Sequence, residues 1–96
     1  MAHLEVDLVA ADRKVWSGAA TMVVAPAADG EIGVLPGHAP VLTLLRPGTI
    51  KVVALDGTRV RVKVDTGFLS VDDNQVTLVV DTATVETDAG RPAAGN

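Results

Sequence analysis

Cysteine is absent from this sequence of 96 residues. Without thiols the chain has no disulfide framework, no thiolate metal site and no thiol nucleophile. Aromatic residues are almost as scarce, since Trp16 and Phe68 are the only two and tyrosine is missing. Proteins that stack nucleic-acid bases need exposed aromatic side chains, so that class of partner is not expected.

Positive charge is also limited. The sequence has 8 Lys and Arg residues against 12 Asp and Glu residues, which gives a formal net charge of −4. The cationic residues are interleaved with apolar ones, whereas a surface that tracks phosphates needs them clustered. We therefore expect no nucleic-acid partner.

Long apolar runs are missing as well. No stretch approaches the roughly 20 apolar residues of a membrane-spanning helix. The N-terminus carries His3, Glu5 and Asp7 where a signal peptide needs an apolar region. We expect any association with a membrane to be indirect, through a partner.

Aliphatic residues, by contrast, are abundant and alternate as they do in strands. Hydrophobic residues make up 48% of the chain, enough for one modest core. Two alternating runs flank Asp56-Gly57, which predicts a β-hairpin with a type I′ turn because both turn residues would need positive φ. Segment 68–80 repeats the pattern around Asp72-Asp73-Asn74. The sequence thus predicts an all-β sandwich or closed barrel.

Residues 30–40 differ from an ordinary loop in reading Gly-Glu-Ile-Gly-Val-Leu-Pro-Gly-His-Ala-Pro. This string resembles the signature loop of the ATP synthase epsilon family, called delta in mitochondria. The resemblance extends in order and spacing from about Leu4 to Ala83. Its other matching segments are Trp16-Ser17-Gly18, Gly67-Phe68-Leu69-Ser70-Val71, Asn74, Val76 and Asp81-Thr82-Ala83.

The resemblance implies a flattened β-sandwich of about ten short strands over residues 1–83. It also implies a non-catalytic rotor subunit of the F-type proton-translocating ATP synthase, bound to the gamma subunit and resting on the ring of c subunits. Such a subunit is peripheral on the cytoplasmic side of the cell membrane and carries no cofactor. The gamma interface implied here comprises Pro36, Gly37, His38, Ala39, Pro40 and Leu42. The implied contact with the c ring comprises Gly30, Glu31 and Ile32.

The residue types in this loop suit docking. Pro36 and Pro40 restrict φ while Gly33 and Gly37 allow tight bends, so the loop is rigid and loses little entropy on binding. His38 is open to structural, catalytic, metal-binding or interface roles. No nucleophile motif accompanies it and His3 is the only other histidine, so the interface role implied by the resemblance is favoured.

Glu31 is open to two readings, a solvated turn carboxylate or a partner for a cation of the c ring. Arg59, Arg61 and Lys63 form a basic stripe, which we interpret as a solvated strand face that also discourages edge pairing. Trp16 is expected to pack in the core or at its rim.

Residues 84–96 contain Gly90, Pro92 and Gly95, which oppose a helix, and are predicted to be a short unstructured tail. The tail is too short for the helical hairpin that forms the second domain of the family. We therefore expect neither strong inhibition of ATP hydrolysis nor ATP binding.

Two other small β proteins compete with this reading. A biotinyl or lipoyl carrier domain presents a lysine at a hairpin tip, where this sequence has Asp56-Gly57. A small β-barrel enzyme needs an acid, a base and a nucleophile, and no such set is visible. No catalytic, cofactor-binding or metal-binding residue is predicted.

Overall fold

The computed structural model describes residues 2–86, which form nine β-strands and no helix. The all-β prediction is confirmed, with nine strands in the described residues against the ten or so implied. The strands are β1 (Leu4–Ala10), β2 (Arg13–Ala27), β3 (Gly30–Val34), β4 (Val41–Leu45), β5 (Gly48–Ala54), β6 (Arg59–Val64), β7 (Gly67–Asp72), β8 (Gln75–Val80) and β9 (Ala83–Val85).

The long strand β2 organises the fold, because its 15 residues pair with four other strands. Through β1 and β4 it closes a ring in the order β1-β8-β7-β4-β2. From β2 the sheet also continues through β5 and β6 to β9, while β3 pairs with β2. The result is a β-sandwich in which one strand contributes to both layers.

The core is aliphatic throughout, as the shortage of aromatic residues requires. Alternate residues of each strand face inward, most clearly in β6, where Val60, Val62 and Val64 are buried between exposed cations. No polar or charged side chain is buried among the described residues. Leu4, Leu8, Ile50, Leu69, Leu78, Val23, Val34, Val52, Val62, Val71 and Val76 are the largest fully buried side chains.

The β5–β6 hairpin is present, but its predicted type I′ turn is wrong. Gly57 has φ of 94°, whereas Asp56 has no positive φ. The Gly57 N–H donates to the Ala54 carbonyl at 2.9 Å, and the Ala54 N–H donates to the Thr58 carbonyl at 2.7 Å. This is a three-residue connection that needs left-handed backbone only at glycine.

The type I′ turn occurs instead in the β7–β8 hairpin. Asp72 pairs with Gln75, so only Asp73 and Asn74 connect the strands. Their φ angles are 51° and 65°, the left-handed values that this turn demands of both residues. Asp and Asn tolerate that conformation better than other non-glycine residues.

The C-terminal boundary predicted at Ala83 falls inside a strand. Strand β9 covers Ala83–Val85 and pairs with Val62–Val64 of β6. The Glu86 N–H then donates to the Arg61 carbonyl. Strand β9 therefore extends past the predicted start of the tail, and the rest of that tail, 87–96, lies outside the described residues.

Candidate interaction surface

The proline loop, which we define as residues 35–40, begins with a type II turn. The His38 N–H donates to the Leu35 carbonyl at 3.0 Å, closing a turn with Pro36 and Gly37 at its centre. Proline sets the φ of the first central residue, and Gly37 has the positive φ, 88°, that the second position needs. The Pro-Gly pair thus fixes the path of the chain into His38.

The proline loop is tied to the β7–β8 turn through one side chain. The Gly37 N–H donates to Asn74 Oδ1 at 2.8 Å, across 37 positions of sequence. The Asn74 carbonyl in turn accepts a hydrogen bond from the Glu5 N–H at 2.8 Å. Asn74 therefore joins the loop, the turn and strand β1, which limits the loop's freedom before any partner binds.

His38 is half-buried at the end of this loop. Its Nδ1 atom lies 2.7 Å from the Ala39 carbonyl oxygen. A carbonyl can only accept, so Nδ1 carries the hydrogen and the Nε2 atom is left for a partner. Among residues 2–86, no three His, Cys, Asp or Glu side chains are grouped so as to hold a metal ion.

Strand β4, which follows the proline loop, has two exposed leucines. Leu42 is 74% exposed and Leu44 is 67% exposed, although the strand's last residue, Leu45, is buried. On the neighbouring strand Phe68 lies directly opposite Leu44 and is 40% exposed. We call Leu42, Leu44 and Phe68 the apolar face; together with Thr43 they line one shallow groove.

The apolar face adds residues that the sequence reading missed. Leu42 was predicted for the gamma interface, but Leu44 and Phe68 were not. A signal was present, because the run from Val41 to Leu45 is apolar on both sides of the strand except at Thr43, which is typical of a strand covered on both faces. Phe68 needed the β4–β7 register, which the sequence does not state.

The three residues predicted to contact the c ring lie at the other end of β4. Gly30 and Glu31 are exposed at the β2–β3 hairpin, while Ile32 is half-buried against the core. The Ala28 N–H in this hairpin donates to the Leu44 carbonyl at 2.9 Å. The two predicted sites are therefore distinct and are joined by one strand, about 13 Å long at ~3.3 Å per residue.

Trp16 packs at the rim of the core, as predicted. A Cβ on Gly18 would lie 3.3 Å from the Trp16 ring, so the ring covers the glycine two residues along the strand. This contact explains why an aromatic residue and a glycine occur together with one residue between them.

A carrier function finds no support in the hairpins. In the described chain, neither the Leu55-Asp56-Gly57 tip nor the Asp73-Asn74 tip carries a lysine. The β2–β3 hairpin has no lysine at its tip either, because Ala28-Asp29 connects its strands. Residues 2–86 contain no helix of the length and apolarity needed to cross a bilayer.

Comparison with known proteins decides the family. The profile described as "ATP synthase, Delta/Epsilon chain, beta-sandwich domain" matches residues 3–86. This chain belongs to that family. The resemblance seen in the proline loop therefore holds across the whole described structure.

Several relatives in this family carry the name ATP synthase epsilon chain. One from Streptomyces avermitilis is 48% identical over 92 residues, covering 94% of this chain and 74% of the relative. One from Rhodococcus erythropolis is 43% identical, covering 98% and 78%. One from Acinetobacter baumannii is 47% identical, covering 86% and 60%.

Solved structures show the same fold. A chain of the Euglena gracilis mitochondrial ATP synthase, described with OSCP, F1 and c-ring, superimposes with a TM-score of 0.83 at 25% identity. This chain covers 57% of that one, and 92% of this chain is matched. A chain of the Tetrahymena thermophila central stalk and c-ring matches in fold with a TM-score of 0.68 at 18% identity, covering 84% of this chain and 65% of that one.

Proposed function

We propose that this chain is a non-catalytic rotor subunit of the F-type ATP synthase central stalk, linking the gamma subunit to the c ring. Relatives named ATP synthase epsilon chain and the Euglena assembly with its c-ring support this role. The observation that carries it is the apolar face beside the rigid proline loop. Contiguous exposed apolar side chains are typical of a surface that is covered in an assembly.

The gamma subunit is the partner assigned to the apolar face and the proline loop. Leu42, Leu44 and Phe68 would lose their exposed area on docking, which supplies the apolar part of the interface. The loop contributes Pro36, Gly37, His38, Ala39 and Pro40 in a geometry already fixed by the turn and by Asn74. His38 offers Nε2 to a hydrogen-bond donor of gamma.

The c ring is the partner assigned to the β2–β3 hairpin. Glu31 is exposed in strand β3, where it pairs with Pro26 close to the Ala28-Asp29 tip, and Ile32 packs against the core. A carboxylate on a rigid hairpin suits a cation of the ring's polar loops. Because the pair would be exposed, its contribution is only about 0.2–1 kcal/mol.

The chain acts through binding rather than chemistry in this proposal. His38 shares a surface groove with Asp72 and Asp73, but no Ser, Thr, Cys or Lys lines that groove, and the His38 Nδ1 atom is hydrogen-bonded to a backbone carbonyl. Attachment to the cytoplasmic side of the cell membrane is indirect, through gamma and the ring. The subunit thereby supports the coupling of proton transport to ATP synthesis.

The central test is binding to purified gamma. Leu42→Asp would place a charge in the middle of the proposed interface, and we expect the affinity for gamma to fall at least about tenfold. Leu55→Asp is the matched control, because Leu55 is also an exposed leucine, at 52%, but lies at the β5–β6 tip. Equal affinity of both variants for gamma, with both folded by circular dichroism, would refute the docking assignment.

The ring contact needs a separate test. When the chain is bound to its c ring in the absence of gamma, Glu31→Ala should weaken its retention on the ring by no more than about fivefold. Asp29→Ala, one residue outside the predicted contact, is the control. If the two substitutions act alike, Glu31 is an ordinary solvated carboxylate.

A further inference from the structure

Strand β3 lies at a free edge of the sheet. In the described part of the chain it pairs with β2 alone, from Gly30 to Val34. The free edge of a strand presents unpaired N–H and C=O groups, which can pair with a strand of another chain. Proteins commonly protect such edges with proline, lysine or a bulge. Strand β3 contains neither of these residues, and its pairing with β2 runs without a shift of register.

The direction of the unpaired groups follows from hydrogen bonds on the other side of β2. The Arg46 N–H donates to the Pro26 carbonyl at 2.8 Å, so that carbonyl points away from β3. In an antiparallel ladder, hydrogen-bonded pairs alternate with pairs that exchange no hydrogen bond. Pro26 and its partner Glu31 are a pair of the second kind, so the Glu31 N–H and C=O point outward from the edge. Gly33, two residues along the strand, has the same orientation.

There is room for a further strand beside these groups. A Cβ on Gly30 or Gly33 would meet nothing within 4 Å. Among the described strands β9 also lies at an edge, but it is only three residues long. The Arg13 side chain moreover donates to the Ala83 carbonyl of β9 at 3.0 Å. Strand β3 is therefore the more accessible of these two edges.

The side chains on the outer surface of β3 define which segment would fit. Residues directly opposite one another in a ladder have Cβ atoms about 4.5–5.5 Å apart. A cation opposite the exposed Glu31 would therefore form a cross-strand ion pair, and within residues 2–86 no ion pair includes Glu31. Opposite Gly33 no side chain competes for space, so the segment can carry a larger residue there.

We propose that β3 takes up an extended, cation-bearing segment of the c ring as an additional strand of the sheet. Glu31 and Gly33 each offer one N–H and one C=O to the new ladder, and the cation opposite Glu31 fixes the register. The ring is the occupant because the edge continues the predicted ring contact of Gly30, Glu31 and Ile32. This inference rests on the proposed function and adds a main-chain contact to it.

The test measures binding of the full chain to its purified c ring in the absence of gamma. Gly33→Pro removes an outward N–H and places a ring in the path of the incoming strand, while proline is tolerated at such edge positions. We expect roughly tenfold weaker binding, a larger loss than Glu31→Ala causes. Gly33→Ala is the matched variant, because it keeps the N–H and should retain most of the affinity.

Hydrogen exchange resolved to single amides provides a second measurement that needs no variant. In the free chain the Ile32 N–H faces β2, whereas the amides of Glu31 and Gly33 face solvent and should exchange much faster. Binding to the ring should slow the exchange of both outward amides. If both exchange as fast in the complex as in the free chain, the proposed pairing is wrong.

The outcomes separate this inference from the proposed function. Equal ring binding by Gly33→Pro and Gly33→Ala, with both folded by circular dichroism, would overturn the backbone pairing and leave the ring contact standing. No binding of the wild-type chain to the ring would overturn both. Gly33→Pro should bind gamma as wild type does. A loss of gamma affinity in that variant alone would make gamma the occupant of the edge and overturn the assignment to the ring.

Discussion

The apolar face and the outward side of β6, which carries Arg59, Arg61 and Lys63, are built from the same kind of element and present opposite chemistry. Strand β6 alternates strictly, with valines inward and cations outward. Strand β4 places leucine on both sides, so that Leu42 and Leu44 are exposed while Leu45 is buried. The inward side of β6 is all valine, that of β4 consists of Val41, Thr43 and the buried Leu45, and these inward residues specify the fold. The outward residues are free of that requirement, so the two strands can differ in the chemistry that they present to solvent.

The largest expected effect tests how the apolar face is supported. A Cβ on Gly67, at the start of β7, would lie 2.0 Å from the Val79 carbonyl oxygen and 2.7 Å from Val80 Cα. Because backbone cannot move aside cheaply, Gly67→Ala should lower the free energy of unfolding by about 3 kcal/mol or more. Gly33→Ala is the control, since nothing lies within 4 Å of that Cβ. Urea denaturation that shows equal stability for both variants would contradict this packing.

A smaller effect is expected at the β5–β6 turn. Gly57→Val should lower the free energy of unfolding by about 1–2 kcal/mol, because a β-branched residue resists the φ of 94°. Gly57→Asn should lower the free energy of unfolding much less, since asparagine tolerates left-handed backbone. Thermal melts of the two variants provide the measurement. An unchanged melting temperature for Gly57→Val would mean that the loop can adopt another turn.

Changes in the β7–β8 turn, which holds the proline loop through Asn74, should affect docking more than stability. Asn74→Gly keeps a residue suited to φ of 65° but removes the oxygen that accepts from Gly37. We expect little change in melting temperature and a roughly two- to fivefold loss of gamma affinity, because the proline loop is less restrained. Asn74→Asp retains an acceptor and should bind nearly as wild type. Wild-type affinity in the glycine variant would show that the tether is dispensable.

The smallest effect concerns Asp56 and its dependence on pH. The Thr58 N–H donates to Asp56 Oδ1 at 2.9 Å, and this bond holds the pKa of the carboxyl below its ordinary value of 3.8. Because the pKa of Asp56 is lower in the folded state, its ionisation stabilises the protein at pH values above 3.8, the ordinary pKa. This stabilisation is lost as the pH falls through the lower pKa of the folded state. Asp56→Ala should therefore melt slightly lower than wild type at neutral pH. The difference should disappear in strong acid, and a constant difference at every pH would exclude this ionisation as the cause.

The sequence predicted the strands well and one of the turns badly, for reasons that can be named. Alternation gives strand identity and the inward face directly, as in β6, because side chains alternate sides. Turn type depends on how many residues remain unpaired, which follows from register. Asp56-Gly57 satisfies the composition of a type I′ turn, but the pairing leaves three residues in that loop. Asp73-Asn74 forms the type I′ turn because Asp72 and Gln75 pair directly.

The candidate sites divide in the same way. The Pro-Gly turn and the exposed leucines of β4 are local properties, so the proline loop and Leu42 were within reach of the sequence. Phe68 and Leu44 are 24 positions apart and meet only because β4 pairs with β7. Asn74 reaches Gly37 across 37 positions for a similar reason. Contacts of this kind carry no local signal.

The sequence by itself determined the all-β class, the aliphatic core and the stiffness of the proline loop, because each depends on residues close together in the chain. It also placed Arg59, Arg61 and Lys63 on one side of a strand. Only the tertiary structure decided that Lys51 stands opposite Arg61, and that the proline loop and the Glu31 hairpin lie at two ends of one strand. These arrangements depend on strand order and register, which are set when the sandwich buries its shared core.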